Sequence, residues 1–145
     1  RTAFVMQKIE NGFPAFVGNI WEKLCQTAVS GNQLLGHTWN MARRWWGKVP
    51  VYEEGRKTPI GFEELEFDVV AEAADNKDTI LVGECKWKSA DYADRLLLKL
   101  KAKTQKALFA QGKNIIYVLF LKEPPLSEAD CRMMLPDEVL KCQPE

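Results

Sequence analysis

The chain has 145 residues, 46% hydrophobic and 28% charged, which excludes an intrinsically disordered protein and fits one globular domain with an ordinary core. No apolar run reaches the ~18 residues of a membrane span. Twenty basic residues balance twenty acidic ones, which excludes a protein drawn to nucleic acid by net charge alone. The four cysteines and single histidine contain no CxxC, which argues against a zinc site. Cys25 and Cys85 lie in apolar periodic segments and read as reduced core thiols, so a cytoplasmic protein is expected. The chain begins at Arg1 rather than Met. We therefore expect residues 1–12 to end a preceding segment, and 13–145 to form the domain of a longer protein.

Residues 3–10 predict a short helix, broken at Asn11-Gly12. From Pro14, apolar residues Val17, Ile20, Trp21, Leu24, Cys25 and Ala28 recur at helical spacing, which predicts a helix over 14–30 with one buried face. Glu22 sits at the border of that face, and Gly18, one turn earlier, would admit a neighbouring backbone. The tryptophan-rich stretch 38–48 predicts a first strand and 49–61 a long hairpin loop. A second strand is expected over 62–72, a turn at 75–78, and a third, central strand over 79–87. The period then changes to that of a helix over 91–111, with Ala93, Leu96, Leu97, Leu100, Thr104, Ala107 and Leu108 on one face. Lys99, Lys103 and Lys106 line another, and Gly112 marks the stop. Residues 114–121 predict a buried strand, parallel to the third through the helical crossover. A short helix from about Ser127 and a final strand near 139–141 complete the expected order. The fold class is α/β: helix, three-strand meander, crossover helix and strand, giving a mixed sheet with helices packed on it.

Charge is unevenly spread. Residues 62–84 carry eight acidic and one basic group, and basic blocks flank them on both sides. Within the third strand, alternation places Ile80, Val82, Glu84 and Lys86 on one face and Leu81, Gly83, Cys85 and Trp87 on the other. A carboxylate and an ammonium thus follow two packed apolar residues, where charge is costly unless paired or ion-bound. Asp68 lies in the second strand between Phe67 and Val69. Hairpin pairing through the turn puts it opposite about Cys85, within one residue of Glu84. Two carboxylates beside a lysine suit phosphodiester hydrolysis with Mg2+ or Mn2+, held by Asp68 and Glu84 with Glu22 as a candidate further ligand. Lys86 would serve the attacking water or the phosphoryl charge. The alternative is a structural ion pair between Glu84 and Lys86. Lys99, Lys103 and Lys106, with Arg56 and Lys57 in the hairpin loop, are weaker candidates for nucleic-acid contact. Trp45, Trp46 and Trp87 read as packing residues before stacking ones, and His37 as a loop histidine.

Asp68 followed by Glu84-Cys85-Lys86 after an apolar strand resembles the PD-(D/E)xK superfamily of restriction-endonuclease-like phosphodiesterases. In that superfamily a helical glutamate placed like Glu22 often joins the metal site. Five blocks in order, FVGNIWEKLC (16–25), RWWGK (44–48), LEFDVVA (65–71), ILVGECKW (80–87) and YVLF (117–120), resemble the C-terminal domain of archaeal-type ATPases. That resemblance implies a P-loop ATPase module and a winged helix ahead of this domain in the same chain. ATP use would belong to that module, since no GxxxxGK[ST] occurs here. It implies nucleic acid, most of all DNA, as partner, with self-association open and no membrane. It also leaves an alternative: a catalytically silent DNA-binding or protein-interaction module that regulates the ATPase.

Overall fold

The structure is a computed structural model that describes residues 14–88 and 90–144. The expected helix at 3–10 lies outside the described residues. In chain order the elements are α1 (Pro14–Val29), β1 (Gln33–Leu34), β2 (His37–Thr38), β3 (Arg43–Val51), β4 (Gly61–Glu72), β5 (Thr79–Lys86), α2 (Ala93–Lys106), a 3-10 turn (Leu108–Ala110), β6 (Asn114–Leu121), β7 (Arg132–Met134) and α3 (Pro136–Lys141). Five strands form one mixed sheet in the order β3-β4-β5-β6-β7, and β1-β2 form a small separate hairpin. The meander β3-β4-β5 is antiparallel, while β5-β6 and β6-β7 are parallel. None of the described helices is long and apolar enough to cross a membrane.

The alternation of β5 divides the core in two. Leu81 packs with Trp21, Cys25, Ala28 and Val29 of α1 and Val139 of α3. Ile80 and Val82 pack with Ala93, Leu96, Leu97 and Leu100 of α2. The sheet is therefore sandwiched, with α1 and α3 on one face and α2 on the other. Gly83 lies on the α1 face, where an added Cβ would stand 2.6 Å from Phe120 Cε2 and 3.1 Å from Val69 Cβ. Only glycine lets the Phe120 ring cross the strand there. Gly83→Ala is expected to destabilise the domain by about 1–3 kcal/mol, and Gly83→Ala/Phe120→Leu by less. Urea unfolding of both variants checks this, and an unchanged midpoint for Gly83→Ala would contradict it.

Several boundaries differ from the expected ones. The first strand is shifted: the chain spends 33–38 in the small β1-β2 hairpin, whose turn places Leu35 and Gly36 at φ 55° and 80°. Those left-handed dihedrals make the primed turn that hairpins favour. His37 accordingly lies in β2, where its Nδ1 is 3.2 Å from Asp75 Oδ1. β3 then runs on through Pro50 to Val51. Proline is tolerated there because β3 is an edge strand. The crossover helix stops at Lys106, and Ala107 adopts an extended conformation. The shortened helix lets Phe109 pack 5.1 Å from Trp45 and 5.2 Å from Phe67, between ring centroids, while Leu108 turns to solvent. At the C-terminal end the expected order is reversed, strand first and helix second. Pro136 supplies the first helical turn, where its missing N–H costs nothing, with Asp137 and Glu138 beside it. Arg132–Met134 instead pair with Val118–Phe120 as an edge strand.

Candidate active-site cleft

The site begins with an irregularity in β4. Arg43 pairs with Val70 and Trp45 with Phe67. Arg44 alone therefore faces both Asp68 and Val69, the two-against-one arrangement of a β-bulge. The bulge changes the phase of the strand. Leu65 and Phe67 face α2, whereas Val69 and Ala71 face α1. Asp68 occupies the point of reversal. The β4-β5 ladder ends beside it, its last pair being Val69 with Gly83. Beyond that pair, β5 continues through Glu84, Cys85 and Lys86 against β6 alone among the described strands.

The split leaves polar groups of both strands free to meet the Asp68 residue. Its Oδ2 accepts a hydrogen bond from the Cys85 N–H at 2.8 Å. Its main-chain carbonyl accepts one from Gln26 Nε2 of α1 at 3.0 Å. The side chain thus substitutes for the next rung of the ladder and is fixed in the wedge between strands. The pairing lies one residue earlier than the hairpin estimate, which brings Asp68 across from Glu84 instead of Cys85.

Around this wedge opens a cleft of about 680 Å³. Its lining includes Glu22 and Trp21 from α1, Arg44 and Glu66 from the meander, Asp68, Glu84–Lys86 of β5 with Trp87 just beyond it, and Lys103 of α2. All four residues of the expected centre, Glu22, Asp68, Glu84 and Lys86, come together here. Gly18 also lines the cleft, but an added Cβ there would meet nothing within 4 Å. The close backbone approach expected at Gly18 is therefore not made among the described residues.

Electrostatics at the centre are those of crowded acids. Burial, then a hydrogen bond and charge repulsion from Asp68, raise the Glu22 carboxyl from its ordinary 4.5 to about 7. Glu84 is also raised, by burial first and then by the charge of Asp68, against the pull of Lys103 and Lys86. Lys86 Nζ lies 3.9 Å from Glu84 Oε2 and Lys103 Nζ 3.6 Å from Oε1. The Cys25 and Cys85 thiols are both pushed up by burial. They are poor nucleophiles there, and Cys85 serves the site through its backbone N–H.

The raised carboxyls set a sign for stability. A carboxyl whose folded pKa exceeds its unfolded value stabilises the fold while protonated, and that contribution is lost as pH rises through the folded value. In the absence of divalent ions, the Glu22 contribution is full below about 4.5 and falls away through about pH 7. Melting temperatures of wild type and Glu22→Gln across that window check this. The wild-type curve should fall relative to the variant as pH rises, and parallel curves would contradict it.

Among the described residues no group of three or more His, Cys, Asp or Glu side chains forms a ready-made ligand shell for a metal ion. The donor set is nonetheless chemically specific. It offers carboxylate oxygens without thiolate or imidazole, and one of the three acids, Glu22, is raised to about 7. That suits a hard ion that takes one or two carboxylates and keeps several waters.

The weaker candidates separate. Lys103 lines the cleft, whereas Lys99 is exposed on the helix and Lys106 Nζ pairs with Glu63 Oε1 at 2.9 Å. Arg56 pairs with Glu53 at 3.7 Å and Lys57 is exposed in the hairpin loop. The three-lysine stripe is therefore not one surface. Of the tryptophans, Trp45 packs against Phe67, Trp46 is exposed, and Trp87 packs against Trp21 in the cleft wall, the rings tilted and 4.9 Å apart between centroids. Sequence reasoning missed Arg44 and Glu66, joined at 2.7 Å on the rim. No signal in LEFDVVA marks them, since Leu65, Phe67, Val69 and Ala71 keep one parity straight through the bulge.

A family model described as archaea bacterial proteins of unknown function, DUF234, matches residues 1–108. The chain belongs to this family. No curated protein and no solved structure matches it. Membership in the DUF234 family carries no chemistry with it.

Proposed function

We propose that this DUF234 domain is a metal-dependent phosphodiesterase acting on nucleic acid, DNA foremost, built as a PD-(D/E)xK restriction-endonuclease-like fold. The observation that carries the reading is the bulge-set Asp68, held by the Cys85 N–H at 2.8 Å between Glu84 and Glu22, with Lys86 in the same open cleft. Bulges of this kind re-aim a side chain beside a site. The helix, meander, crossover helix and strand order supports the same reading.

Asp68 and Glu84 would hold Mg2+ or Mn2+, with Glu22 as a neighbouring ligand or proton acceptor. When bound, such an ion polarises the phosphoryl group and acidifies a water. The chain's own groups supply the rest. Lys86 Nζ donates to the attacking water or to a phosphoryl oxygen as charge grows there. Glu22, titrating near neutrality, takes up the water's proton on its carboxylate, as a base with a pKa near the working pH does best. Glu84 keeps the lysine oriented. The resemblance to archaeal-type ATPases supports an ATP-binding module elsewhere in the same protein as the partner that governs this centre.

One observation favours a second reading. Glu84 lies between two ammonium groups, at 3.9 and 3.6 Å, so its charge is balanced without a metal. On that reading the domain is a silent DNA-binding or interaction module. The assay that decides is cleavage of single-stranded DNA, double-stranded DNA and RNA by the full chain at low salt, with Mg2+, with Mn2+ and with chelator. Cleavage that needs the ion supports the enzyme. No cleavage of any substrate with either ion overturns it.

A further inference from the structure

Resting on the phosphodiesterase reading, we propose that Lys103 is the substrate-phosphate contact of this cleft, a second lysine delivered by the crossover helix opposite the Lys86 strand. The helix sequence gives Lys103 no distinction from Lys99 and Lys106, but the packing does. Its side chain is only 25% exposed, and its ammonium lies 4.8 Å from the centre of the Phe67 ring. The ring faces the ammonium itself and, with the partial burial of the side chain, helps fix where the charge stands, so less freedom remains to be lost on binding.

The ion pairs at the cleft rim and on the neighbouring helix differ in tightness. Arg44 is closed on Glu66 at 2.7 Å, and Lys106 on Glu63 at 2.9 Å. Lys103 stands off from Glu84 at 3.6 Å, beyond the usual charge-assisted hydrogen bond. A cation there is oriented by its carboxylate without being spent on it. The cleft also needs such a cation. Three carboxylates repel a polyanionic strand, and Lys86 is already assigned to the water. Lys103 sits on the other oxygen of Glu84, so both lysines can face one phosphate from different sides. Its Nζ would donate to a non-bridging phosphate oxygen when a strand enters.

The test is binding and turnover of a fluorescein-labelled single-stranded oligonucleotide by the full chain, over a salt series. Binding is measured in chelator and turnover in Mn2+. Lys103→Met keeps an unbranched apolar stem and removes the charge, with Lys103→Gln as the second variant should the first misfold. We expect binding weakened by roughly three- to tenfold, KM raised with a smaller change in kcat, and the salt slope reduced by about 0.7–1. Lys103→Arg should restore both affinity and slope. Lys113→Met, an equal loss of charge paired to Asp78 away from the cleft, should change neither. If wild type cleaves and Lys103→Met keeps its affinity and slope, the proposal is overturned while the nuclease reading stands. If wild type neither binds nor cleaves, both fall together.

Discussion

Lys86→Ala should lower metal-dependent cleavage by roughly a hundredfold or more, the scale of losing one preorganised electrostatic group. The variant should fold, because the Lys86 side chain is partly exposed and its contact with Glu84 is long, at 3.9 Å. Glu84 also keeps Lys103 as a partner. Loss of so long and only partly exposed a contact changes stability by about 1 kcal/mol. Metal affinity should stay the same or improve, since a positive charge leaves the neighbourhood of the carboxylates. Lys86→Arg should rescue only in part, because a planar fork does not put its charge where a compact ammonium does. Single-turnover cleavage with saturating Mn2+ measures the effect. A wild-type rate in Lys86→Ala would remove Lys86 from the reaction.

Mg2+ or Mn2+ should raise the melting temperature of the wild-type chain by about 5–10 °C at a hundredfold excess over Kd, from the binding term of about 2.7 kcal/mol and the entropy of unfolding at this size. The reason lies in the crowded acids. Burial and Asp68 raise Glu22 and Glu84, and a cation offsets the repulsion between the ionised groups. The rise should be larger at about pH 8 than at about pH 5, because protons compete with the ion for the same oxygens. Asp68→Asn should abolish the rise. The amide oxygen can still accept from the Cys85 N–H, so the wedge between β4 and β5 survives while the charge does not. Differential scanning calorimetry with and without the ion reads both effects, and an equal rise in wild type and Asp68→Asn would contradict the account.

The sequence is most legible where one period runs unbroken. Ile80–Lys86 and Ile115–Phe120 announce their strands, and parity alone puts Glu84 and Lys86 on one face. Helical spacing from Val17 to Ala28 likewise fixes which side of α1 is buried. Legibility fails where tertiary packing overrides local pattern. The bulge at Asp68 and Val69 comes from pairing with Arg44 and is silent in the residues of β4 themselves. The Leu35-Gly36 turn puts leucine at a left-handed position that usually signals itself with asparagine or aspartate. Phe109 ends α2 early because the rings of Trp45 and Phe67 receive it. Lys103 looks like its helix neighbours until the sheet beneath places Glu84 and Phe67 against it. The site residues were readable as types and spacing. The wedge that brings them together was not, since it depends on where one ladder stops.

The most direct measurement is equilibrium binding of Mn2+ to the metal-free full chain, followed by the paramagnetic resonance signal of the free ion. The account predicts uptake of a single ion by wild type and by Lys86→Ala, and its loss in Asp68→Asn and Glu84→Gln. No uptake by wild type at millimolar Mn2+, or the same uptake in wild type and Asp68→Asn, would contradict it.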